Sequence, residues 1–210
     1  MLSQRLRVRG DSSDQEALEV ASVALLNGGI VAVPTDIYYA LGADPFNLRA
    51  VEQIFQIKGR QSWKPILLLV DSVDQAEEVA QDLPDVFYKI AEEFWPGPLT
   101  LIVPAATKLP RKITGGTGTV ALRIPDLRIT RLLIRAIDIP IVGTTANRAA
   151  HPPCASADDV LHDLGGKIEL VLDAGPSRGN APSTILDLTR DTPRIVREGG
   201  IPATDLAKYL

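Results

Sequence analysis

Cysteine and histidine are almost missing from this chain of 210 residues. Cys154 is the only cysteine, which excludes a disulfide framework and a metal site built from several cysteines. The two histidines, His151 and His162, are too few for a histidine-built zinc site. Cys154 follows two prolines without a plausible activating partner, so we predict an inert thiol, and we interpret His151 as a surface residue.

Long apolar runs are missing as well. Stretches such as residues 66–70 (ILLLV) have the length of a strand and fall far short of the ~20 residues that a membrane span needs. The basic start MLSQRLRVRG is not followed by the apolar segment of a secretory signal. We therefore expect a soluble, cytoplasmic protein that does not contact membranes.

Two parts of the chain carry charges that are almost all of one sign. The formal net charge is -4, yet residues 71–93 hold eight acidic residues and one basic residue, and residues 105–135 hold seven basic residues and one acidic residue. The second segment can offer a basic face to phosphate or nucleic acid. Two oppositely charged solvated faces explain the same pattern, and both interpretations stay open.

Short apolar runs alternate with helical patterns along the whole chain. The residues predict strands near 30–34, 66–70, 100–104, 120–125, 140–144, 170–173, 183–188 and 194–196. Amphipathic spacing predicts helices over 13–27 (with a Ser13 and Glu16 capping box), 47–57, 74–82, 85–94, 128–137 and 157–164. This alternation predicts an α/β fold with a twisted, mixed parallel and antiparallel sheet and flanking helices, in one domain over residues 1–210.

Polar groups follow several of the predicted strands. The segment PTDIYYALG (34–42) begins where a strand ends, which is where ligands bind in α/β sheets, although a proline-started turn explains Thr35 and Asp36 as well. Lys58, Arg60 and Lys64 place three cations in seven residues, which suits an anionic substrate.

Other polar candidates are less specific. Arg123 lies in a strand-like run, where a buried cation needs a carboxylate or a ligand. The remaining candidates stand beside predicted strands and are Thr144, Thr145, Asn147, Ser183, Thr184 and Arg197. The segment WPGPLT (95–100) has no ionisable group, and we interpret it as a rigid turn. The segment GGTGT (115–119) matches neither a P-loop nor a dinucleotide-binding fingerprint.

The order of these segments is more specific than any one of them. PTD-x-x-Y-x-LG, K-G-R-x-x-x-KP, WPGPLT, R-I-P, T-A-N and PST-I-L-D with a late R-E-G resemble the YrdC-like family of threonylcarbamoyl-AMP synthases, from about residue 28 to 200. The resemblance implies a mixed sheet around a concave cleft, and it implies the short form without the extra C-terminal domain.

The resemblance also implies an activity and its partners. Members condense L-threonine, bicarbonate or CO2, and ATP into threonylcarbamoyl-AMP with release of pyrophosphate. Transferase proteins then pass the threonylcarbamoyl group to an adenosine of tRNAs that read codons starting with A. This nucleotidyltransferase activity implies Mg²⁺ bound with ATP, no organic cofactor and no protein metal site.

Site residues follow from the family pattern position by position. The threonine and bicarbonate site would comprise Thr35, Lys58, Arg60, Arg123, Thr145 and Ser183. The nucleotide site would comprise Lys58, Lys64, Thr119, Thr145, Asn147 and Arg197. Charge stabilisation would come from Lys58, Arg60 and Arg123, and no residue stands out as a general base.

This sequence departs from the family pattern at three places. Ala40 replaces a glycine, which narrows the permitted backbone and would reshape the threonine pocket. Thr145 replaces a serine and keeps the hydroxyl, whereas Pro153 replaces a serine near the nucleotide. The sequence YALG also occurs in the sister group of YciO-like proteins. The alternative function is therefore a non-catalytic or differently specific YciO-like paralogue that binds double-stranded RNA or a nucleotide through a basic cleft.

Overall fold

The computed structural model describes residues 2–59, 65–179 and 181–210. The helices are α1 (Gln15–Leu26), α2 (Leu48–Lys58), α3 (Val73–Val79), α4 (Asp85–Phe94), α5 (Arg111–Thr114), α6 (Arg128–Ile137), α7 (Ala157–Leu164) and α8 (Ala203–Leu206). The strands are β1 (Gln4–Arg7), β2 (Val31–Val33), β3 (Ala40–Gly42), β4 (Leu67–Leu69), β5 (Leu99–Pro104), β6 (Thr119–Arg123), β7 (Ile141–Val142), β8 (Thr144–Thr145), β9 (Leu170–Asp173), β10 (Thr184–Asp187) and β11 (Arg194–Arg197).

The described strands form two sheets. One has the order β1-β9-β2-β3-β8 and the other has the order β11-β10-β5-β6-β4-β7. Both contain parallel and antiparallel pairs, which confirms the predicted mixed pairing. The prediction of one sheet was wrong, because periodicity identifies strands without showing which strands pair.

Gly143 is where the chain passes from one sheet to the other. It separates β7 of the larger sheet from β8 of the smaller sheet. A Cβ atom at this position would lie 2.5 Å from Cγ of Leu69, so a side chain does not fit. Glycine therefore permits the close approach to β4 that lets both sheets share this segment.

The helix ends follow local chemistry, with one correction. The predicted capping box of Ser13 and Glu16 does not form. Asp11 instead accepts a hydrogen bond from the Ser13 backbone N–H and caps a 3-10 turn that leads into α1. A capping box does form at α7, where Ser156 and Asp159 exchange hydrogen bonds. Asn47 caps α2, which ends at Gly59 with φ +53°.

Two strands lie where no strand was predicted. Half of the β1 residues are charged, so the sequence lacks the apolar run that predicts a strand. β1 pairs with β9 at the edge of its sheet. β3 lies within the segment that the sequence placed in a loop. Its three residues are buried between β2 and β8, and this pairing forms one wall of the cavity described below.

The interior consists of two hydrophobic clusters. The larger cluster packs α2, α4 and α7 against the core faces of both sheets and includes Phe87, Trp95 and Leu101. The smaller cluster packs α1 and α6 together and includes Leu25 and Leu133. No helix in the described ranges is both long and apolar enough to cross a membrane.

Candidate functional site

A cavity of about 420 Å³ lies between the two sheets. Its floor is one face of the larger sheet, because side chains alternate across a strand and every second residue points into the cavity. On β5, Thr100 and Ile102 line it, whereas Leu99 and Leu101 are buried in the core. Its lining residues are Thr35, Ile37, Tyr38, Tyr39, Ala40, Pro65, Leu67, Leu69, Thr100, Ile102, Ala121, Arg123, Gly143, Thr144, Thr145, Pro182, Ser183, Ile185 and Arg197.

This cavity brings together five of the predicted site residues from distant parts of the sequence. They are Thr35, Arg123, Thr145, Ser183 and Arg197. A larger groove of about 680 Å³ lies between α1 and α6 and contains none of the predicted site residues. The smaller cavity is therefore the candidate site, since apolar walls with a few convergent polar groups are typical of small-molecule sites.

Arg123 is a buried cation on the cavity floor, with 4% of its surface exposed. Its Nε donates a hydrogen bond to the Gly97 carbonyl at 2.9 Å, and its Nη2 lies 2.5 Å from Oδ2 of Asp36 outside hydrogen-bond geometry. Burial lowers the pKa of the guanidinium, and the charge of Asp36 opposes that shift. Arg123 is thus the paired buried cation that the sequence allowed, and it also lines the cavity.

The segment WPGPLT forms the rigid turn that the sequence indicated and also holds Arg123. Trp95 is buried, and its indole N–H donates to the Leu99 carbonyl at 2.7 Å. Gly97 accepts the bond from Arg123, and its own N–H donates to the Ile124 carbonyl at 3.0 Å. The turn therefore fixes one end of the Arg123 guanidinium, while Asp36 fixes the other.

Arg197 is a cation at the cavity rim that lies outside ion-pair distance of every carboxylate in the described ranges. Its Nη2 donates to the Ser183 carbonyl at 2.8 Å and to Ser183 Oγ at 3.3 Å. Partial burial lowers the pKa of its guanidinium. Unlike Arg123, it reaches the cavity with its charge uncompensated, which suits binding of an anion.

Ser183 and Thr100 form a hydroxyl pair on the cavity floor. Their oxygens are 2.9 Å apart, and both side chains are buried. The sequence predicted Ser183 as a site residue and assigned Thr100 only to a structural turn. Strand alternation would have placed Thr100 on the face opposite Leu99 and Leu101, and that signal was missed.

Thr35 lines the cavity, but its hydroxyl serves the loop. Its Oγ1 donates to the Tyr38 carbonyl at 2.6 Å and accepts from the Ile37 N–H at 3.1 Å. The Thr35 hydroxyl therefore stabilises the turn, as one interpretation of the sequence suggested, while the rest of the side chain lines the cavity wall. Tyr38 and Tyr39 wall the cavity as predicted.

Lys58 lies buried behind the cavity wall. Its ammonium donates to the carbonyls of Thr145 and Asn147 at 2.8 and 2.9 Å and also contacts Asn147 Oδ1. Thr145 Oγ1 donates to the same Asn147 oxygen at 2.7 Å. The three predicted residues are thus brought together, and Lys58 ties the end of α2 to the segment that follows β8.

Thr119 stands apart from the other candidates. It begins β6 on the same face as Ala121 and Arg123, yet it does not line the cavity, and its hydroxyl pairs with Thr117 Oγ1 at 2.9 Å. Arg60 and Lys64, the other two predicted cations, lie outside the described residues.

Ala40 does not have the restricted backbone that its replacement of glycine suggested. It is a β3 residue paired with Val33 and Thr145 in ordinary extended conformation. Positive φ angles occur elsewhere, at Gly28 and Gly59 for example. This conformation is open to alanine without strain, and the methyl group of Ala40 lines the cavity, where it contributes to the shape of the pocket.

His151 and Cys154 lie beside the segment that carries Asn147. His151 Nδ1 and Arg148 Nε lie 2.8 and 2.7 Å from the same oxygen of Asp163. Burial alone would raise the pKa of Asp163, but the Arg148 hydrogen bonds and the charges of His151 and Arg148 lower it. Burial raises the pKa of the Cys154 thiol to about 11, which agrees with an inert cysteine.

The charge asymmetry of the sequence is largely cancelled by the fold. Five basic residues of segment 105–135 form ion pairs with carboxylates, in the pairs Lys108–Glu78, Lys112–Glu52, Arg123–Asp36, Arg131–Asp126 and Arg135–Asp71. Two of these carboxylates, Asp71 and Glu78, come from the acidic segment 71–93. Most cations of the basic segment therefore have an acidic neighbour, which weakens the basic face that RNA binding would use.

Comparison with known proteins places this architecture in a family. The Sua5/YciO/YrdC family model, described as "Telomere recombination", matches residues 23–199. The threonylcarbamoyl-AMP synthase of Pyrococcus abyssi is 38% identical over 193 residues, which cover 92% of this chain and 57% of the relative. The chain thus spans little more than half of that relative. A putative threonylcarbamoyl-AMP synthase of Mycobacterium tuberculosis is 37% identical over 187 residues, or 89% of this chain and 86% of the relative.

Solved structures confirm the fold class. P. abyssi Sua5 complexed with L-threonine matches with a TM-score of 0.92 and 36% identity, over 100% of this chain and 61% of that chain. E. coli YciO matches with a TM-score of 0.88 and 25% identity over all of both chains. The predicted resemblance is confirmed, and the chain belongs to the Sua5/YciO/YrdC family.

Proposed function

We propose that this chain is a threonylcarbamoyl-AMP synthase, a nucleotidyltransferase that condenses L-threonine, bicarbonate or CO2, and ATP. The observation that carries the proposal is the convergence of Arg123, Arg197 and the Thr100–Ser183 hydroxyl pair on one cavity between the sheets. The names of its relatives support the same activity. The presence of L-threonine in the P. abyssi Sua5 complex supports threonine as a substrate.

The chemistry of this reaction explains why the site needs cations. Threonine and CO2 give a carbamate anion, whose oxygen attacks the α-phosphorus of ATP. The new P–O bond forms as the bond to the β-phosphate breaks, and pyrophosphate leaves with its electron pair. Bringing a carbamate to a polyphosphate requires positive charge, so this site would work mainly by positioning and charge neutralisation.

The residues divide into two sets in this proposal. Threonine and bicarbonate would be bound by Thr35, Lys58, Arg60, Arg123, Thr145 and Ser183. ATP would be bound by Lys58, Lys64, Thr119, Thr145, Asn147 and Arg197. Because the Lys58 ammonium contacts Thr145 and Asn147, part of its role would be to fix these two residues beside the nucleotide. No general base is assigned.

Mg²⁺ would enter the site with ATP. The described residues include no group of three His, Cys, Asp or Glu side chains that could hold a metal ion. The nucleotide phosphates would therefore carry the ion, which would neutralise part of their charge. We further propose a cytoplasmic enzyme whose product passes to transferase proteins acting on tRNA.

The alternative function is a YciO-like paralogue that binds double-stranded RNA. The ion pairs of segment 105–135 argue against it, because they leave few open cations for phosphate contacts. Such binding would weaken steeply as salt is added and would not need ATP.

Pyrophosphate release by the purified protein tests the proposal. The assay contains ATP and Mg²⁺ and adds threonine and bicarbonate separately and together. The proposal requires release only with all substrates, and loss of release in Arg197→Ala. The matched control is Arg194→Ala, which removes an exposed arginine of the same strand that does not line the cavity. No release, together with salt-sensitive binding to duplex RNA, would favour the alternative.

A further inference from the structure

Thr100 is a buried polar residue of the cavity floor that the resemblance assigned to no substrate. Only 2% of its surface is exposed, and its Oγ1 lies 2.9 Å from Oγ of Ser183. Ser183 also accepts a hydrogen bond from the Arg197 guanidinium. The three side chains form a continuous chain of polar groups that runs from the cavity rim to its floor.

The hydrogen bonds among these three side chains leave one hydroxyl donor without an acceptor. Each hydroxyl has one O–H donor, so the pair has two protons, of which only one can lie between the two oxygens. No other acceptor for either hydroxyl occurs among the described residues. The second O–H therefore has no acceptor among the described residues and can donate to a ligand oxygen in the cavity that both residues line.

The guanidinium favours the arrangement in which Thr100 keeps that donor. Arg197 donates to Ser183, and successive hydrogen bonds strengthen one another when each group accepts from one neighbour and donates to the next. In that arrangement Ser183 donates to Thr100, and Thr100 carries the free O–H. The order from rim to floor is then Arg197, Ser183, Thr100 and the ligand.

Sheet register places Thr100 between the two arginines of the cavity. Ile185 pairs with Thr100 on one side and with Arg197 on the other. Leu101 pairs with Leu122, so the next antiparallel position sets Thr100 beside Arg123. Neighbouring strands are about 5 Å apart. Thr100 therefore lies one strand from Arg123 and two strands from Arg197 on the same face of the sheet, so an anion beside Arg123 would lie near Thr100.

We propose that Thr100 is a substrate-binding residue whose hydroxyl donates a hydrogen bond to a carboxylate or carbamate oxygen of the amino-acid substrate. This inference rests on the proposed function and adds a contact to it. The carboxylate class follows from the position beside Arg123, which belongs to the proposed threonine set, and from a hydroxyl donor, since charge-assisted hydrogen bonds favour an anionic oxygen.

Calorimetric titration of L-threonine into the native chain and its variants tests this contact. Thr100→Val keeps the side-chain shape and removes the hydroxyl, and it should weaken threonine binding about tenfold. Thr100→Ser keeps the hydroxyl and should bind within about threefold of the native chain. Ser183→Ala removes a residue of the proposed threonine set and should weaken binding more than Thr100→Ser, which keeps both hydroxyls. Circular dichroism and thermal melting show that each variant is folded.

The outcomes separate this inference from the proposed function. Native threonine affinity in Thr100→Val would overturn the inference. An equal loss of affinity in Thr100→Ser and Thr100→Val would also overturn it, because the loss would then come from altered packing and not from the missing hydroxyl. If Thr100→Val does not fold, the threonine affinities of Thr100→Ser and Ser183→Ala are compared instead. A larger loss of affinity in Thr100→Ser than in Ser183→Ala would overturn the inference. Absence of threonine binding by the native chain would overturn the proposed function together with this inference.

Discussion

The two arginines of the cavity differ in what surrounds their charge. Arg123 is 4% exposed, pairs with Asp36 and donates to the Gly97 carbonyl. Arg197 stands at the rim and donates hydrogen bonds to the carbonyl and hydroxyl oxygens of Ser183. A cation that is already neutralised is part of the architecture of the cavity, whereas an uncompensated cation is available to an anionic ligand. Arg123 therefore contributes to stability as well as to the proposed substrate site, whereas Arg197 is expected to contribute mainly to binding.

Replacing Arg123 should have the largest effect. Arg123→Ala leaves Asp36, which is 16% exposed at its side chain, without its partner. Breaking a buried ion pair in this way should lower the free energy of unfolding by about 3 kcal/mol. Urea denaturation measures this, and Arg197→Ala should change the same free energy by less than about 0.5 kcal/mol. Equal losses in the two variants would remove the distinction between the arginines.

Replacing Arg197 should instead affect activity with little effect on stability. Loss of a charged hydrogen-bond donor to an anion should lower the rate of pyrophosphate release at low substrate about 10- to 100-fold. The matched variant Arg194→Ala should keep native activity and stability. An active Arg197→Ala would show that its charge does not bind substrate.

A carboxylate also organises the other end of the site. Asp163 holds Arg148 and His151, and the His151 carbonyl accepts a hydrogen bond from Asn147 at 2.5 Å. Because the pKa of Asp163 is lowered in the folded chain, its stabilisation is present above its unfolded pKa of about 4 and is lost as the pH falls through the folded pKa.

The native chain should therefore be more stable than Asp163→Asn at neutral pH, and the difference should shrink as the pH falls below about 4. Urea denaturation at a series of pH values measures the difference. The control is Asp191→Asn at an exposed residue, which should show no such trend. A difference that stays constant with pH would exclude the charge of Asp163 as its source.

The smallest effect is expected at an uncharged cavity position. Ala40→Gly places glycine in β3, which should lower the free energy of unfolding by roughly 0.5–1 kcal/mol through backbone entropy. Pyrophosphate release should stay within about threefold of the native rate, since the backbone is already extended. A large change in activity would mean that the reaction depends on the methyl group of Ala40.

Local sequence patterns were sufficient for most elements and insufficient for their assembly. The spacing over residues 128–137 and 157–164 predicted α6 and α7 with their observed bounds, because each has one apolar face. The half-charged strand β1 and the three-residue strand β3 depend on partners distant in sequence, so no local period marks them. The division into two sheets depends on the close approach at Gly143, which is also a tertiary property.

The candidate site shows the same limit. Ordered motifs predicted Arg123, Ser183 and Arg197, and the fold brings them to one cavity. Only the three-dimensional structure distinguishes the paired Arg123 from the uncompensated Arg197, since ion pairs depend on contacts across the fold. Thr100 was missed because its neighbours in sequence form a turn, while its role depends on Ser183 in a neighbouring strand.

A crystal structure of this chain with L-threonine would test the central claim most directly. The account predicts threonine in the cavity between the sheets, with its carboxylate beside Arg123 and within hydrogen-bond distance of Thr100. Threonine bound elsewhere, for example in the groove between α1 and α6, would contradict the account. So would a carboxylate in the cavity that contacts neither arginine.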